Sequence, residues 1–527
     1  MIFQILTLIL IAMNTTKIFF IIIFTAISIL SYSQQDNTLY FMNRVPQVNL
    51  ANPANGYECK VNVYGILMPV FGQLPPPMSI NLGHTGFSLK KAFKKGDILT
   101  VDADSSGPGN TINTSDSLVP DFDYLLKAMR PINYITGDIQ ILLLGGGFKY
   151  EDWYFSVGLT EKINFSLGYP KDLIGLIWKG NGAYIDEPAR FSGLGMNFTH
   201  YREFLTGVQR KMNDKLKLGA NVKWLFGKSN VYTRKSDIRL HTDPNTFDLQ
   251  MISDLEINAS LPEPIYIDYS DGSGIADSLS FNLWNRDSLA VGDSTSNISP
   301  SEILNSKYFL NRKNFGLGLD LGAIYQITDK IEVQASIIDI GFIRWKANTY
   351  SFKQNGNYTY TGVDFPPYLN KNNNIDSIIK AWGDSVYSNF MVTHNQKAYN
   401  SFLPTKIYIG GTYKYNDFVN FGLLTRTEIY QRSLHPSFTL SVNTNFYKWL
   451  SATFTYSMIN RYWMNMGLGI AAKASFMQFY IITDNFFGIR SEASTGIPLP
   501  YSARNVNFRF GCNLIFGCPK QVTKSFL

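Results

Sequence analysis

The sequence predicts an all-β fold, namely a transmembrane β-barrel of the outer-membrane type with about 14 antiparallel strands. Composition is the first observation: of 527 residues, 15% are aromatic and only 17% are charged, whereas about 25% are charged in soluble proteins. The second is an alternation of apolar and polar residues, which indicates strands whose two faces meet different surroundings. Outer-membrane barrels have such strands, because one face contacts lipid and the other faces a polar lumen.

The alternation is clearest between Pro436 and Phe516. Small polar residues alternate with apolar ones at 438–446, and the last run has an apolar face made of Val506, Phe508, Phe510, Cys512, Leu514 and Phe516. A soluble sandwich would bury that face in a protein core. Aromatic residues at the strand ends favour the barrel, because they suit its interfacial girdles; they are Phe438, Phe446, Trp449, Tyr462 and Trp463.

Residues 1–33 are predicted to be a signal peptide. A lysine precedes an apolar run at 18–30, and the small residues that signal peptidase requires follow it. We expect cleavage before Gln34. Two alternatives stay open: translation starts at Met1 or at Met13, and the segment is a cleaved signal or an uncleaved membrane anchor.

Residues 34–60 form a leader that has no strand pattern. Its Asn-Pro and Pro-Ala pairs are typical of turns. We interpret this irregular apolar leader as a plug inside the barrel, and a periplasmic tail remains the alternative. The candidate plug residues are Arg44, Pro46, Asn49, Asn52 and Pro53.

Residues 61–518 are predicted to form the barrel, and 519–527 a periplasmic tail. Short polar turns alternate with long loops, which is the asymmetry of outer-membrane barrels. The turns are predicted at 151–152, 213–214, 329–330, 416–417 and 447–448, and the long loops at 236–314 and 355–400. Short helices, in loops or in the lumen, are predicted at 121–129, 170–180 and 375–382.

The chain has three cysteines, Cys59, Cys512 and Cys518. Six residues of extended chain span about 20 Å, so Cys512 and Cys518 cannot bridge in regular geometry. Cys59 precedes the first predicted strand and Cys518 follows the last, and barrel closure would bring both to one rim. We hypothesise a Cys59–Cys518 disulfide, with two free or partly buried thiols as the alternative.

Five segments carry a resemblance to known proteins. They are Arg44-Val-Pro-Gln-Val-Asn-Leu-Ala-Asn-Pro-Ala54 with Glu58-Cys59, Tyr169-Pro-Lys-Asp-Leu173 with Trp178-Lys-Gly-Asn181, Asp339-Ile-Gly-Phe-Ile-Arg-Trp345, Thr483-Asp-Asn485, and Arg509-Phe-Gly with Phe516-Gly-Cys-Pro-Lys520. They resemble a family of Bacteroidota outer-membrane barrels that has no established activity. Both cysteines of the hypothesised disulfide have counterparts in that family. More distantly, the overall arrangement resembles barrels of the fatty-acid-transporter type, including PorV. The Asn-Pro-Ala element resembles the PorP/SprF group, which is linked to type IX secretion and gliding.

The sequence shows no pattern of a catalytic, cofactor-binding or metal-binding site. None of the five histidines has metal-ligand spacing, and no Gly-x-Ser-x-Gly elbow occurs. The glycines of 467–472 fit a dinucleotide fingerprint, but they lie within an alternating strand with no helix after it. The acidic residues of 268–277 are interpreted as solvated carboxylates, not as a calcium site. Arg344 is expected to face the lumen beside an interfacial Trp345.

Three classes of function follow from these observations. The first is a transporter-like or porin-like barrel in the outer membrane of a Gram-negative bacterium, which passes a small apolar molecule through a plugged lumen. The second is a structural subunit of an envelope complex, such as type IX secretion or gliding machinery. An enzyme is the third and least favoured class. The expected partners are outer-membrane lipid, an apolar small molecule and other envelope proteins; the net charge of +7 is scattered, which argues against nucleic acid.

Overall fold

The computed structural model describes fifteen stretches of the chain. They are residues 36–65, 76–84, 93–95, 118–185, 187–262, 265–268, 278–281, 306–360, 392–430, 433–446, 449–459, 462–486, 490–491, 498–499 and 505–519. The predicted signal peptide, the third predicted helix and the turn at 447–448 lie outside them.

Most of the described strands form one closed antiparallel barrel of 14 strands, so the predicted fold class and strand number are confirmed. Three separate two-stranded sheets pair Phe93–Lys95 with Leu118–Pro120, Ile265–Asp268 with Ser278–Phe281 and Arg490–Ser491 with Pro498–Leu499. Four of the barrel strands are interrupted by insertions or short breaks and continue in line, and the first strand pairs with both the second and the last. The strands are β1 (Val61–Gly65 and Met78–His84), β2 (Ile132–Tyr150), β3 (Trp153–Pro170), β4 (Gly195–Lys211), β5 (Leu216–Thr242), β6 (Leu249–Ser260 and Asn314–Thr328), β7 (Ile331–Trp345 and Thr349–Tyr360), β8 (Val392–Asn395, Tyr399–Phe402 and Thr405–Lys414), β9 (Val419–Tyr430), β10 (Ser433–Thr444), β11 (Leu450–Ile459), β12 (Tyr462–Ala474), β13 (Met477–Thr483) and β14 (Asn505–Phe516).

Helices are few and short among the described residues. They are α1 (Asn37–Tyr40), α2 (Phe122–Ala128), α3 (Lys171–Lys179) and α4 (Ser306–Phe309), with single 3-10 turns at Pro46–Leu50 and Asn181–Tyr184. The predicted helices at 121–129 and 170–180 are therefore confirmed as α2 and α3. Asp121 caps α2 by accepting a hydrogen bond from the backbone N–H of Tyr124. None of the described helices is long and apolar enough to cross a membrane.

Burial in the barrel wall is the reverse of that in a soluble protein. In β6, Leu317 is 44% exposed while Asp320 is fully buried. In β10, Leu440 is 49% exposed while Thr439 is fully buried. Since the strands alternate in this way around the wall, the apolar side chains form an outer belt and the polar ones fill the lumen.

Tight turns and exposed aromatic residues mark the rim at which the chain enters and leaves the barrel. The turns at 151–152, 213–214, 329–330 and 416–417 lie there, as predicted. Exposed aromatic side chains line the same rim: Phe148, Tyr150, Tyr325, Tyr413, Tyr415, Phe446, Trp449 and Phe516. Short turns occupy the periplasmic end in barrels of this class, and we therefore call this end the periplasmic rim.

The two predicted long loops begin later than the sequence indicated. β5 continues to Thr242 and the first part of β6 is Leu249–Ser260, so these parts of the predicted loop 236–314 are strand. β7 likewise continues to Tyr360, past the predicted start of the second loop at 355. These extensions stand beyond the apolar belt, and their two faces carry mixed polar residues, so the alternation that reveals a lipid-facing strand is missing. Ion pairs between neighbouring strands, such as Arg234 with Glu256 at 2.9 Å, accompany them.

Candidate functional site: the barrel lumen

Residues 36–55 lie inside the barrel and are mostly buried against its inner wall. Leu39 and Val45 are fully buried. Of the five candidate plug residues, Pro46, Asn49, Asn52 and Pro53 are buried in the lumen, and Arg44 is half-buried near the periplasmic rim. We call residues 36–55 the lumen segment.

An ion pair fixes the N-terminal end of the lumen segment, which we call its upper end. The Arg509 guanidinium donates from Nη2 to both carboxylate oxygens of Asp36, at 3.0 and 2.9 Å, and from Nε to Oδ1 at 3.2 Å. Next to it, the backbone N–H of Thr38 donates to Asp484 Oδ1 at 2.7 Å. The Thr38 hydroxyl also lies 2.8 Å from that of Thr455 on β11.

Further hydrogen bonds hold the lower part of the lumen segment. Gln47 exchanges two amide hydrogen bonds with Asn513 of β14, at 2.6 and 3.0 Å. Gln478 of β13 donates to the backbone carbonyl of Arg44 at 2.6 Å. Across the lumen, Ser336 of β7 donates to the carbonyl of Ala51 at 2.7 Å.

Apolar residues of the lumen segment cover two apolar patches on the inner wall. Leu39, Met42 and Val45 pack on one patch, which consists of Ala471, Tyr480 and Ile482. Tyr40, Phe41 and Ala51 pack on the other, which consists of Ile338, Tyr408 and Leu424. The ring of Tyr40 stacks on that of Tyr408, with centroids 5.4 Å apart.

Glycines on the inner wall make room for the lumen segment. A Cβ at Gly219 would overlap the backbone carbonyl of Pro53, and one at Gly422 would overlap the ring of Phe41. Gly467 and Gly469 stand in the same way against Thr38 and Met42. The glycines that formally fit a dinucleotide fingerprint thus leave room for close packing of the lumen segment, and we call such glycines its seats. Inward glycines in otherwise regular strands were the available sequence signal for them.

Asp339 is the centre of a buried ion-pair network. Its carboxylate lies 2.6 Å from the Nζ of Lys223, 3.5 Å from that of Lys406 and 3.8 Å from that of Lys162. These lysines come from β5, β8 and β3, so one carboxylate links three strands. Sequence reasoning missed this network, because none of its members is near another in the chain.

A β-bulge turns Asp339 inward. The pairing of β6 with β7 shifts between Leu319 and Leu321, so Ile338 and Asp339 both face the lumen. Asp339 has a φ of +62°, which is uncommon for a residue with a side chain. Its backbone N–H donates to Asp320 Oδ1 at 2.8 Å. Bulges next to functional sites re-aim a side chain in this way.

The bulge also changes the phase of the strand beyond it. Arg344 is therefore exposed on the outside, while Trp345 is fully buried and donates from Nε1 to Ser401 at 2.8 Å. The expectation of a lumen-facing Arg344 beside an interfacial Trp345 is wrong for this reason.

A small polar cavity separates the lumen segment from the network. The space available to the centre of a water molecule in it is about 20 Å³, and about 10–15 Å³ is enough for one water. Lysines and carboxylates form most of its wall, and Lys162 pairs with Glu203 at 2.8 Å. Its lining residues include Asp36, Leu50, Lys162, Glu203, Asp339 and Lys406.

The helix α4 contacts the inner wall on the side away from the periplasmic rim. The Tyr308 hydroxyl contacts His200 Nδ1 and lies 3.1 Å from Ser229 Oγ. Lys228 donates to the backbone carbonyls of Phe309 and Asn311 at 2.7 and 2.9 Å. Burial raises the pKa of Tyr308 above its ordinary value, so the phenol stays neutral.

A disulfide joins Cys59 to Cys518 at the periplasmic rim, with Cα atoms 3.9 Å apart. It connects the end of the leader to the end of β14, which is the pairing hypothesised above. Tyr57, Tyr154 and Ile515 pack around it. Cys512 is free and buried.

This arrangement can bind and block, but it lacks the groups of a metal centre. Among the residues that the structure describes, no three His, Cys, Asp or Glu side chains are placed to hold a metal ion. Of the acidic residues at 268–277, Asp271 and Asp277 lie outside the described stretches.

Solved structures that resemble the chain share less than 10% of its sequence in the three cases that follow. The toluene transporter TbuX of Ralstonia pickettii has a TM-score of 0.36 and 8% identity, over 90% of this chain and 94% of that one. A FadL homologue of Pseudomonas aeruginosa has a TM-score of 0.31 and 9% identity, over 90% and 95%. The translocator domain of the autotransporter NalP from Neisseria meningitidis has a TM-score of 0.31 and 7% identity, over 92% and 99%.

No curated protein matches the sequence significantly. Residues 67–484 match the family of unknown function DUF5723. Because this match spans most of the chain, the chain belongs to that family.

Proposed function

We propose that this protein is an outer-membrane barrel that passes a small solute when the lumen segment moves away from the inner wall. The observation that carries the proposal is the position of residues 36–55, which fill the lumen beside a network of buried ion pairs. The exposed apolar belt supports a location in a membrane, and the short-turn rim supports an outer-membrane orientation.

The apolar patches beneath the lumen segment favour a small apolar solute. Tyr480 and Ile482 belong to one patch, and Tyr408 and Leu424 to the other. Movement of the lumen segment would uncover both patches, and an apolar molecule would then replace its side chains. Burial of apolar surface stabilises such a complex by about 25 cal/mol per Å².

A structural subunit of an envelope complex is the second candidate function. Ile177 and Trp178 on α3 favour it, because they are 72% and 53% exposed on the side of the barrel opposite to the periplasmic rim. The Trp178 ring stacks on that of Phe122, with centroids 3.6 Å apart. Exposed apolar residues on a fixed helix suit contact with another envelope protein.

A reversible cross-link tests the gating proposal. Thr38→Cys and Thr455→Cys would place two thiols where the hydroxyl oxygens are now 2.8 Å apart. We expect the oxidised double variant to exclude a small apolar solute from liposomes, and mild reduction to restore uptake, because the cross-link holds the lumen segment on β11.

The single variant Thr455→Cys is the matched control and should not respond to oxidation. Equal uptake by the oxidised and reduced double variants would contradict gating by the lumen segment. Stoichiometric recovery of a partner from native membranes would then favour the structural role.

A further inference from the structure

We propose that Arg509 and Tyr480 form a binding site for an oxyanion, the carboxylate or phosphate group of a solute, and that its occupant displaces Asp36. Displacement would free the upper end of the lumen segment. This consequence deepens the proposed function and rests on it, whereas the binding site itself does not.

The Arg509 side chain has one donor that the lumen segment does not use. Nε and Nη2 make three hydrogen bonds to Asp36. Nη1 is buried and has no hydrogen-bond partner. The residue as a whole is only 1% exposed, so water does not reach this donor freely. Buried polar groups are nearly always paired, so each exception requires a reason.

Tyr480 supplies a second unused group next to the first. It pairs with Gly511 of β14, two residues along from Arg509 on the inward face. Diagonal neighbours of this kind lie about 7–8 Å apart at the backbone, within reach of long side chains. The Tyr480 hydroxyl is buried and also has no hydrogen-bond partner.

Gly511 leaves room for the Tyr480 hydroxyl. A Cβ at this glycine would lie 2.6 Å from the hydroxyl oxygen and 2.8 Å from Cβ of Pro77. The phenol thus occupies a recess in the wall of β14 that any larger residue would fill.

An oxyanion is the ligand that these donors fit. A guanidinium binds carboxylate and phosphate through parallel N–H bonds, and a phenol hydroxyl donates to the same oxygens. Asp36 leaves Nη1 and the Tyr480 hydroxyl unbonded in its present position. A free oxyanion that engages both makes bonds that Asp36 does not make, and this difference in contacts is what shifts an equilibrium.

The polar cavity borders Asp36, the residue whose carboxylate the ligand would replace beside Arg509. Asp36 is one of its lining residues, together with Lys162 and Lys406. The carboxylates that line it, Glu203 and Asp339, are each paired with a buried lysine. An arriving anion would therefore meet Lys162 and Lys406, together with two carboxylates that are already paired.

The labelling rate of a cysteine on the lumen segment tests the proposal in the intact chain. Thr38→Cys, combined with Cys512→Ser, would be treated with a maleimide in detergent micelles. Sodium acetate and sodium phosphate would be compared with sodium chloride at equal ionic strength. We expect acetate, phosphate or both to raise the rate above that in chloride; acetate alone indicates a carboxylate, and phosphate alone a phosphate group.

Two conservative variants separate this site from a general effect of salt. Tyr480→Phe should need about tenfold more oxyanion for the same rate, because a hydrogen bond to a charged group is lost. Tyr399→Phe removes the hydroxyl of a half-buried tyrosine, which donates to Asn230, and should titrate like the parent. Arg509→Lys keeps the positive charge but loses the parallel N–H donors of the guanidinium. The labelling rate of this variant should therefore be high and should not change with oxyanion concentration.

The proposal is overturned if neither oxyanion exceeds chloride, or if Tyr480→Phe titrates like the parent. Both outcomes are independent of solute uptake. A failed cross-link experiment would therefore refute gating without deciding on the oxyanion site.

Discussion

At the scale of single residues, the interior depends on a few positions with unusual surroundings. Asp339 has a left-handed backbone conformation and faces three lysines. A buried charge is tolerated when it is paired, and removal of one partner leaves the others uncompensated. The buried lysines and Asp339 thus stabilise one another, and the network links four strands.

Asp339→Asn should destabilise the barrel strongly. Loss of one partner from a buried ion pair costs about 3–5 kcal/mol. Lys406 would keep its charge without the central carboxylate, whereas Lys223 would retain Asp320 at 2.7 Å. Urea unfolding in micelles measures the change. Asp329→Asn is the matched control, since that residue lies in an exposed turn and should change stability by less than about 0.5 kcal/mol.

An unaltered unfolding free energy in Asp339→Asn would mean that the network does not support the fold. In that case the bulge at 338–339 would have to be explained by the backbone alone.

Gly219→Ala should loosen the lumen segment. The new Cβ would overlap the carbonyl of Pro53, which belongs to the backbone and cannot rotate away. Overpacking costs about 1–3 kcal/mol, so the labelling rate of Asn49→Cys should rise at least about fivefold.

Gly182→Ala is the control for this substitution, because no atom lies within 4 Å of its added Cβ. If both alanine variants label at the same rate, the inner-wall glycines do not serve as seats for the lumen segment.

At the scale of elements, the sequence was most informative where strands meet lipid and least informative elsewhere. β10 and β14 were predictable, because apolar and polar residues alternate along them. The ends of β5 and β7 were not, since they extend past the belt and carry polar residues on both faces. For residues 36–55 the sequence allowed two positions, a plug inside the barrel and a periplasmic tail. It could not decide between them, because the same turn residues suit both.

The site itself was largely beyond sequence reasoning. The candidate plug residues were identified from an irregular pattern, and Cys59 and Cys518 from their places at the two ends of the barrel. Asp339, Arg509 and Tyr480 gave no signal. The hydrogen-bond and ion-pair partners of Asp339 and Arg509 are 19 or more residues away in the chain, and a bulge changes the phase of the alternation beside Asp339.

The Cys59–Cys518 disulfide should connect the two ends of the barrel chemically. We expect intact-mass analysis to show a gain of two hydrogens after reduction of the denatured protein, and none in Cys59→Ser. A loop closed over most of the chain restricts the unfolded state, so Cys59→Ser should lower stability by about 2–5 kcal/mol.

Free thiols at both positions in protein purified from membranes would contradict the pairing. Cys512→Ser is the matched control, because Cys512 is free and its removal should leave the mass shift on reduction unchanged.

At the scale of the whole molecule, an apolar exterior and a polar, filled interior define what the protein can do. The apolar belt fits lipid, and a closed wall leaves the lumen as the route across it. That route is occupied by residues 36–55, the ion-pair network and α4. A barrel closed in this way transports only if part of its contents moves. The lumen segment is joined to the wall by hydrogen bonds, one ion pair and the packing of its apolar side chains on two patches, and, among the described residues, by no covalent bond before Cys59.

Conductance across a planar lipid bilayer tests this account most directly. The parent protein should insert and show little conductance, whereas a variant that lacks residues 37–55 and keeps the Cys59–Cys518 disulfide should show large, stable current steps. A deletion variant that folds, inserts and conducts no more than the parent would contradict closure of the lumen by that segment.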